Sequence, residues 1–375
     1  MVVCRVASGE RHSNFDLKVG LVGPLPPPFG GMGNQTQQLA ALLQSEGVLV
    51  SLIQTNKDYR PARVARLPII RAFFRLLPYL SALWRGTGHC DVVHVMANSG
   101  WSWHLFAAPA VWIATLRKVP VIVHYHGGEA ESFLIRSSSI VRRTMSRAAV
   151  LVVPSGFLEA IFARFDMPAR VIPNVVDLGR FCRTTTSRPN RRQLFVARNL
   201  EPIYDNETAI RAFALVRHVY PDTVLTVAGS GHLLNSLQTL VGELGLGDSV
   251  FFTGRLDQDG MVNAYRQADI AINPSLVDNM PGSVLEALAC AIPVVSTNVG
   301  GIPFILRDGE TALLVPPRAP DAMAEAIRRL IDNPGLSQKL IDNGLEEVKK
   351  YTWQRVWPLL SGVYDQATKN AMPPA

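Results

Sequence analysis

Charge is scarce in this sequence: Asp, Glu, Lys and Arg together make up 18% of its 375 residues, against about 25% in an ordinary soluble protein. With 48% apolar residues, the chain has too much to bury to remain disordered, and it is long enough for two domains. Long apolar runs are missing as well. The apolar stretch Trp101 to Leu116 falls short of the ~20 residues that span a bilayer and contains His104 and Pro109, so it reads as a buried helix. Cysteine is sparse and scattered (Cys4, Cys90, Cys182, Cys290), with no C-x-x-C pair and no histidine at metal-ligand spacing. That excludes a disulfide framework or zinc finger and fits reduced thiols in the cytoplasm. Residues 1–17 mix Arg5, Glu10, Arg11, His12 and Asp16 without an apolar core, so they are expected to be a flexible extension rather than a secretory signal.

Acid is absent from two basic tracts, which concentrates the net charge of +7. No Asp or Glu lies between Asp58 and Asp91, where Arg60, Arg63, Arg66, Arg71, Arg75 and Arg85 stand among Phe73, Phe74, Leu77 and Trp84; the second tract holds Arg136, Arg142, Arg143 and Arg147. Cations interleaved with aromatic and aliphatic residues over 62–85 suit an interfacial helix on anionic lipid, and equally a surface helix with its stripe in the core. No base-reading motif accompanies the charge, so nucleic acid is not expected as a partner.

From Lys18 onward, short β-branched runs alternate with helix-length segments, the grammar of parallel sheets built from βαβ units. Strands are expected at 18–23, 48–54, 91–95, 120–124, 149–153 and 170–172, then, after the polar, basic stretch 184–192, at 193–197, 223–228, 249–253, 269–273 and 292–296. This predicts two doubly wound α/β domains, 18–183 and 193–350, joined by a linker at 184–192 and followed by a helix and tail at 351–375. Loops at the carboxyl ends of both sets of strands would line a cleft suited to joining two substrates.

Two loops carry the chemistry. In the first, Gly30, Gly31 and Gly33 permit a turn with exposed N–H groups at a helix start, suited to an anion; a dinucleotide fingerprint is excluded because Thr36 stands where its third glycine would be. In the second, a strand ends at Asn273, Asp278 follows in a loop, and a helix starting near Pro281, Gly282 and Ser283 carries Glu286 about one turn in. That helix start offers its N–H groups and dipole to a phosphate, and a carboxylate such as Glu286 accepts both hydroxyls of a vicinal diol. A purely structural acid near a helix N-terminus is the plainer alternative. The string Asp257-Gln-Asp259 resembles a metal-binding D-x-D, but it precedes an apolar helical pattern and reads more simply as an N-cap.

The segment from Asn273 to Val295 resembles the donor-binding signature of glycosyltransferase family 4, in which two acids eight apart precede a helix and A-x-x-x-G-x-P-V-V follows. Further matches are Gly30–Gly31, Pro173–Phe181, Val196-Ala-Arg198, Val227–Gly231, Phe252-Thr-Gly254, Asn298–Pro303 and Asp308–Val315. The resemblance implies the GT-B fold and a retaining, metal-independent transfer of a sugar from a nucleotide-diphosphate sugar. It implies no cofactor, a saccharide or lipid-linked acceptor, and a role in envelope or exopolysaccharide synthesis at the inner face of the membrane. Glu286 would hold the ribose, Asp278 the sugar hydroxyls and Arg198 the diphosphate, with Gly231 and Arg255 near the nucleotide. Asp278 stands where glutamate is usual. His126, before Gly127–Gly128, falls at the family's donor-facing histidine, although His124 lies on the same side; His94 reads as an interior histidine, and Glu129 and Glu131 as acceptor-facing or simply solvated. The lysine expected about five residues after Arg198 is absent. Asn206, Arg255 or an arginine of the first half could replace it, and its loss motivates an alternative in which the chain is an inactive, donor-binding partner subunit.

Overall fold

The computed structural model describes residues 17–27, 31–57, 70–183 and 192–369, with backbone alone at 70–73. Gly30, most of the proposed extension and linker, and residues 62–69 of the basic tract lie outside the described residues. The chain forms two units: 7–174 together with the returning end from Val356, and Val175–Arg355. Residues 175–183, placed with the first half on sequence grounds, cluster with the second because Val176 N–H donates to Tyr351 O at 2.9 Å and the Phe181 ring packs on Tyr265.

The N-terminal unit holds a six-stranded parallel sheet: β1 (Lys18–Gly23), β2 (Leu49–Gln54), β3 (Val92–Ala97), β4 (Val121–Tyr125), β5 (Val150–Val153) and β6 (Arg170–Val171), in the order β2-β1-β3-β4-β5-β6. The C-terminal unit holds β7 (Gln193–Ala197), β8 (Val224–Ala228), β9 (Val250–Gly254), β10 (Ile270–Asn273), β11 (Val294–Thr297) and β12 (Leu313–Val315), in the order β12-β11-β10-β7-β8-β9. Each sheet reverses its winding beside its first strand. In such sheets ligands bind beyond the carboxyl ends of the strands at the reversal, here β1/β3 and β7/β10. Helices cover both faces, so central strands are buried throughout instead of alternating: every residue of β3 (VVHVMA), β4 (VIVHY) and β10 (IAIN) is buried.

The structure departs from the sequence expectation in three local places. β12 and the one-turn helix Ile302–Ile305 are too short for a periodicity to show. Between β4 and β5 a helix spans Ala130–Met145, longer than the polar Ser137–Ser139 run suggests, because Phe133, Leu134 and Val141 keep a buried helical stripe. The segment expected as one helix over 101–117 opens with a π-helical turn at Trp103–Ala107 before an α-helix at Ala108–Leu116.

The C-terminal unit's core gathers around Phe213, fully buried on the helix Asn206–Val219 and packed in one cluster with Leu194, Leu225 and Ile327. Phe213→Ala is expected to lower the stability of this unit by about 3–5 kcal/mol, read as a lower denaturation midpoint. An unchanged midpoint would place Phe213 outside the core.

Candidate functional site

At the reversal of the C-terminal sheet, Arg198 follows β7 directly and Asn273 closes the adjacent β10. The Arg198 Nε donates to Asn273 Oδ1 at 2.8 Å, and its Nη2 makes a short ion pair with Asp278; both side chains are only 11% exposed. A charge pair so far out of water needs its remaining hydrogen-bonding capacity met. Asn273 is fixed by Ser296 Oγ (3.0 Å from Nδ2) and by Ser275 Oγ, which donates to Oδ1 at 2.8 Å, and Thr297 Oγ1 donates to Ser275 O at 2.6 Å. The polar residues that end β10 and β11 thus form the frame of the site.

The loop bearing Asp278 is held from behind. Gly301 N–H donates to Asp278 O at 2.8 Å, and Gly300 takes φ 54°. A Cβ on Gly300 would sit 2.2 Å from Asp278 O and one on Gly301 1.8 Å from Asn279 O, so only glycine permits this approach.

The helix α9, Gly282–Ala289, starts where the sequence placed it. Its N-cap, Pro281, supplies no side-chain cap, which leaves first-turn N–H groups and the positive end of the dipole to an anion. Glu286 folds back over this turn: a Cβ on Gly282 would lie 3.8 Å from Oε1. Burial pushes the Glu286 carboxyl up to about 7, against the opposing pull of Tyr265 and Arg198. Burial likewise raises Asp278, with Arg198 as the largest opposing influence. At its other end α9 stops at Ala291 with φ 56°, where the family pattern has glycine.

Arg198, Asp278, Glu286, Pro281, Gly282 and Ser283 therefore belong to one local assembly. Gly231 lies against the backbone that follows Arg198, where a Cβ would meet Leu200 O at 2.2 Å, and Arg255 is an exposed side chain following Gly254 at φ 67°. At the position of the missing lysine stands Ile203, strapped to the acid loop by Leu276 N–H donating to its carbonyl at 2.8 Å, while the Tyr204 ring lies 5.3 Å from the Arg198 guanidinium carbon. Asn206 is buried and spends Nδ2 on Asn199 O at 2.9 Å, so it braces this turn and is no substitute cation. Asn273, Ser275, Tyr204 and Tyr265 were not singled out for the site by sequence. For Asn273 and Ser275 the signal was available, polar residues ending an apolar strand; for the tyrosines there was none.

His126 and Gly31 belong to the N-terminal unit. Gly31 opens the helix Gly31–Ser45. His126 follows β4, its ring 4.1 Å from that of His124, and burial lowers it to about 4. His94 is fully buried with both ring nitrogens engaged, an interior histidine. Glu131 pairs with Arg164 at 2.6 Å, and Glu129 is exposed. Asp257 accepts from Gly260 N at 2.7 Å as an N-cap, and Asp259 pairs with Arg180 at 3.0 Å. Among the described residues no group of three His, Cys, Asp or Glu side chains is arranged to hold a metal ion.

Comparison with known proteins agrees with this anatomy. Residues 183–347 match the family described as "Glycosyl transferases group 1" and residues 29–180 the one described as "Glycosyltransferase Family 4". The chain is 30% identical over 305 residues to a D-inositol 3-phosphate glycosyltransferase of Actinosynnema mirum, covering 75% of this chain and 73% of that protein. It is 25% identical over 384 residues to a phosphatidyl-myo-inositol mannosyltransferase of Mycobacterium tuberculosis, covering 93% and 97%. In fold it is similar to sucrose-phosphate synthase from Thermosynechococcus elongatus (TM-score 0.77, 21% identity, 94% and 100% covered) and to HepE of Anabaena in complex with UDP (TM-score 0.71, 14% identity, 93% and 100% covered).

The Glu286 shift has a definite sign. Its folded-state value, about 7, lies above the unfolded value near 4.5, so the unfolded chain releases this proton first as pH rises. The protein is therefore expected to lose stability relative to Glu286→Gln as pH rises from 4.5 to 7, with a constant gap above. Parallel thermal-melting curves of the two proteins across that range would refute the shift.

Proposed function

The chain belongs to the family 4 glycosyltransferases of GT-B fold, and on that premise we propose that its C-terminal unit binds a nucleoside-diphosphate sugar and transfers the sugar to an acceptor hydroxyl. The observation that carries this is the assembly of Arg198, Asp278 and Glu286 around the open N-terminus of α9 at the β7/β10 reversal. Glu286 accepts the ribose diol, Asp278 the sugar hydroxyls, and Arg198 with the α9 N–H groups receives the diphosphate. The acceptor oxygen bonds to the anomeric carbon as the bond to the phosphate oxygen breaks, and the acceptor proton passes to the leaving diphosphate. Protein cations and the helix dipole stabilise the departing charge in place of a metal, and the attack retains configuration. Complexes of the fold relative HepE with UDP support a nucleotide-sugar donor, and the named acceptors of the sequence relatives, inositol phosphate and phosphatidylinositol, favour a polyol or lipid-linked acceptor.

We place the acceptor reaction at an anionic membrane surface, as in envelope or exopolysaccharide synthesis on the cytoplasmic side. The helix α2, Ile70–Thr87, buries Tyr79 and Leu83 in the core but leaves Leu77 63% and Trp84 49% exposed beside Arg85. No helix among the described residues is long and apolar enough to cross a membrane, so contact would be peripheral. An Arg66/Arg71/Arg75→Glu variant is expected to sediment with anionic liposomes far less than the wild type, and equal, salt-independent partitioning of both would remove the membrane assignment.

The absence of the lysine favours one other reading, a donor-binding subunit without turnover. A thermal-shift panel of UDP, GDP, ADP and CDP tests the site: one nucleotide is expected to raise the melting temperature selectively, by up to about 2.7 kcal/mol of stabilisation at a hundredfold excess over Kd, and Glu286→Ala to abolish the rise. No shift with any nucleotide would overturn the donor site, and binding without release of nucleoside diphosphate from sugar donors would select the inactive subunit.

A further inference from the structure

The turn that follows β7 carries a tyrosine to the Arg198 assembly. Pro202–Tyr204 form a single 3-10 turn that opens on a proline and ends at Asp205, whose φ of 42° reverses the chain into the helix Asn206–Val219. The turn is tied on several sides. Tyr204 N–H donates to Glu201 O at 3.0 Å, Asn206 Nδ2 closes the base on Asn199 O at 2.9 Å, and Leu276 N–H holds Ile203 O to the acid loop at 2.8 Å. The loop after β8 engages Leu200 twice, Ser230 O accepting from its N–H and Leu233 N–H donating to its carbonyl, each at 3.1 Å. A segment held this closely aims its side chains through its backbone. Ile203 is exposed, whereas Tyr204 is half-buried with its ring 5.3 Å from the Arg198 guanidinium carbon, within cation–π range. The residue that this turn sets against the arginine is therefore 204, one position after the place of the missing lysine.

Both side chains keep donors in reserve. Arg198 places Nε on Asn273 and Nη2 on Asp278, which leaves Nη1 without a hydrogen bond among the described residues. The Tyr204 hydroxyl makes none there either: Asp278 and Glu201 act on it by charge without accepting its proton. A phenol in such a half-buried place ordinarily finds a partner for its O–H. Burial holds Tyr204 above the usual phenol range, with Arg198 opposing and the two acids adding to the rise, so the hydroxyl keeps its proton at neutral pH. An acceptor that takes hydrogen bonds from a guanidinium, a hydroxyl and the first-turn N–H groups of α9 together is a group with several anionic oxygens, and a diphosphate has them. Arg198 is paired with Asp278, the carboxylate assigned to the sugar, so this pair of donors lies towards the phosphate that bears the sugar.

We propose that Tyr204 is a second diphosphate-binding residue of this chain, its hydroxyl donating to an oxygen of the sugar-bearing phosphate beside Arg198 Nη1, in place of the lysine absent from position 203. The assignment rests on the nucleotide-sugar reading given above. The contact is a hydrogen bond and not a proton transfer. As the bond between the anomeric carbon and the phosphate oxygen breaks, its electron pair stays on that oxygen, the proton of Tyr204 stays on the phenol, and the hydrogen bond strengthens with the growing charge. A hydroxyl supplies direction without adding a positive charge, which is where it differs from lysine.

The experiment compares one phosphate with two. UDP against UMP, and GDP against GMP, are titrated calorimetrically into the full chain, as wild type and as Tyr204→Phe, which keeps the ring over Arg198 and removes only the hydroxyl. With the base that the wild type selects, Tyr204→Phe is expected to bind the diphosphate about ten- to a hundredfold more weakly, the worth of a hydrogen bond to a charged group, and the monophosphate as the wild type does. The hydroxyl contact thus shows as a smaller gain from the second phosphate, with or without turnover of sugar donors. Equal diphosphate affinity in the two proteins would overturn the proposal while leaving the donor site in place. An equal loss for mono- and diphosphate would overturn it too, because that pattern marks a displaced turn and not a missing contact. A wild type that binds none of the four nucleotides would remove the donor site itself and the proposal with it.

Discussion

The ion pair between Arg198 and Asp278 is the constraint around which the C-terminal unit arranges its polar residues. Desolvating two charges costs several kcal/mol each, and their attraction offsets this only where geometry is tight and the remaining donors and acceptors are met. Asn273 meets the Arg198 Nε, Ser275 and Ser296 orient Asn273, and Thr297 holds Ser275. Each of these residues lies within two positions of the carboxyl end of a parallel strand. Gly300 and Gly301 then let a second backbone press against the acid loop, where any side chain would collide. Removing either charge would strand the other in a frame built for both.

Much of this was legible beforehand. Strand after strand fell where β-branched runs predicted, since a sheet covered on both faces writes itself as unbroken apolar segments bounded by Gly, Pro, Ser and Asn. The start of α9 and the position of Glu286 followed from Pro281 and Gly282. What the sequence did not reveal were contacts between distant segments. Nothing local says that Tyr265, on a helix of its own, stands against Glu286, or that Tyr204 flanks Arg198. The division of the chain near Asn174 was equally hidden: residues 175–183 are compatible with either unit by composition, and only the bond from Val176 to Tyr351 and the packing of Phe181 assign them.

The two sheets solve one problem in different ways. A strand buried on both faces has no water to satisfy a polar side chain, so any polar residue it carries must find partners within the protein. In the C-terminal sheet the polar residues at the ends of β10 and β11 frame a charged group, and the buried Thr226 of β8 accepts from Gln193 Nε2 of β7 at 3.0 Å. In the N-terminal sheet His94 and His124 stand within the strands, and their partners are each other and a tyrosine from the far end of the chain. Strand alternation predicted that His124 and His126 would share a side. It could not predict that the next link would be 270 residues away.

Charge balance gives the absent lysine its physical meaning. The diphosphate proposed at the α9 N-terminus would bring at least two negative charges to a site with one buried arginine, itself paired with Asp278. With a glutamate fully ionised nearby, that sum would be strongly unfavourable at low effective dielectric. Burial pushes the Glu286 carboxyl up to about 7, and an approaching anion raises it further, so its charge is the one the site gives up most readily. A protonated carboxyl still pairs with a diol, accepting at one oxygen and donating at the other. In the proposed donor complex a proton on Glu286 would offset part of the charge that a lysine at position 203 would have opposed, from within the residues already present.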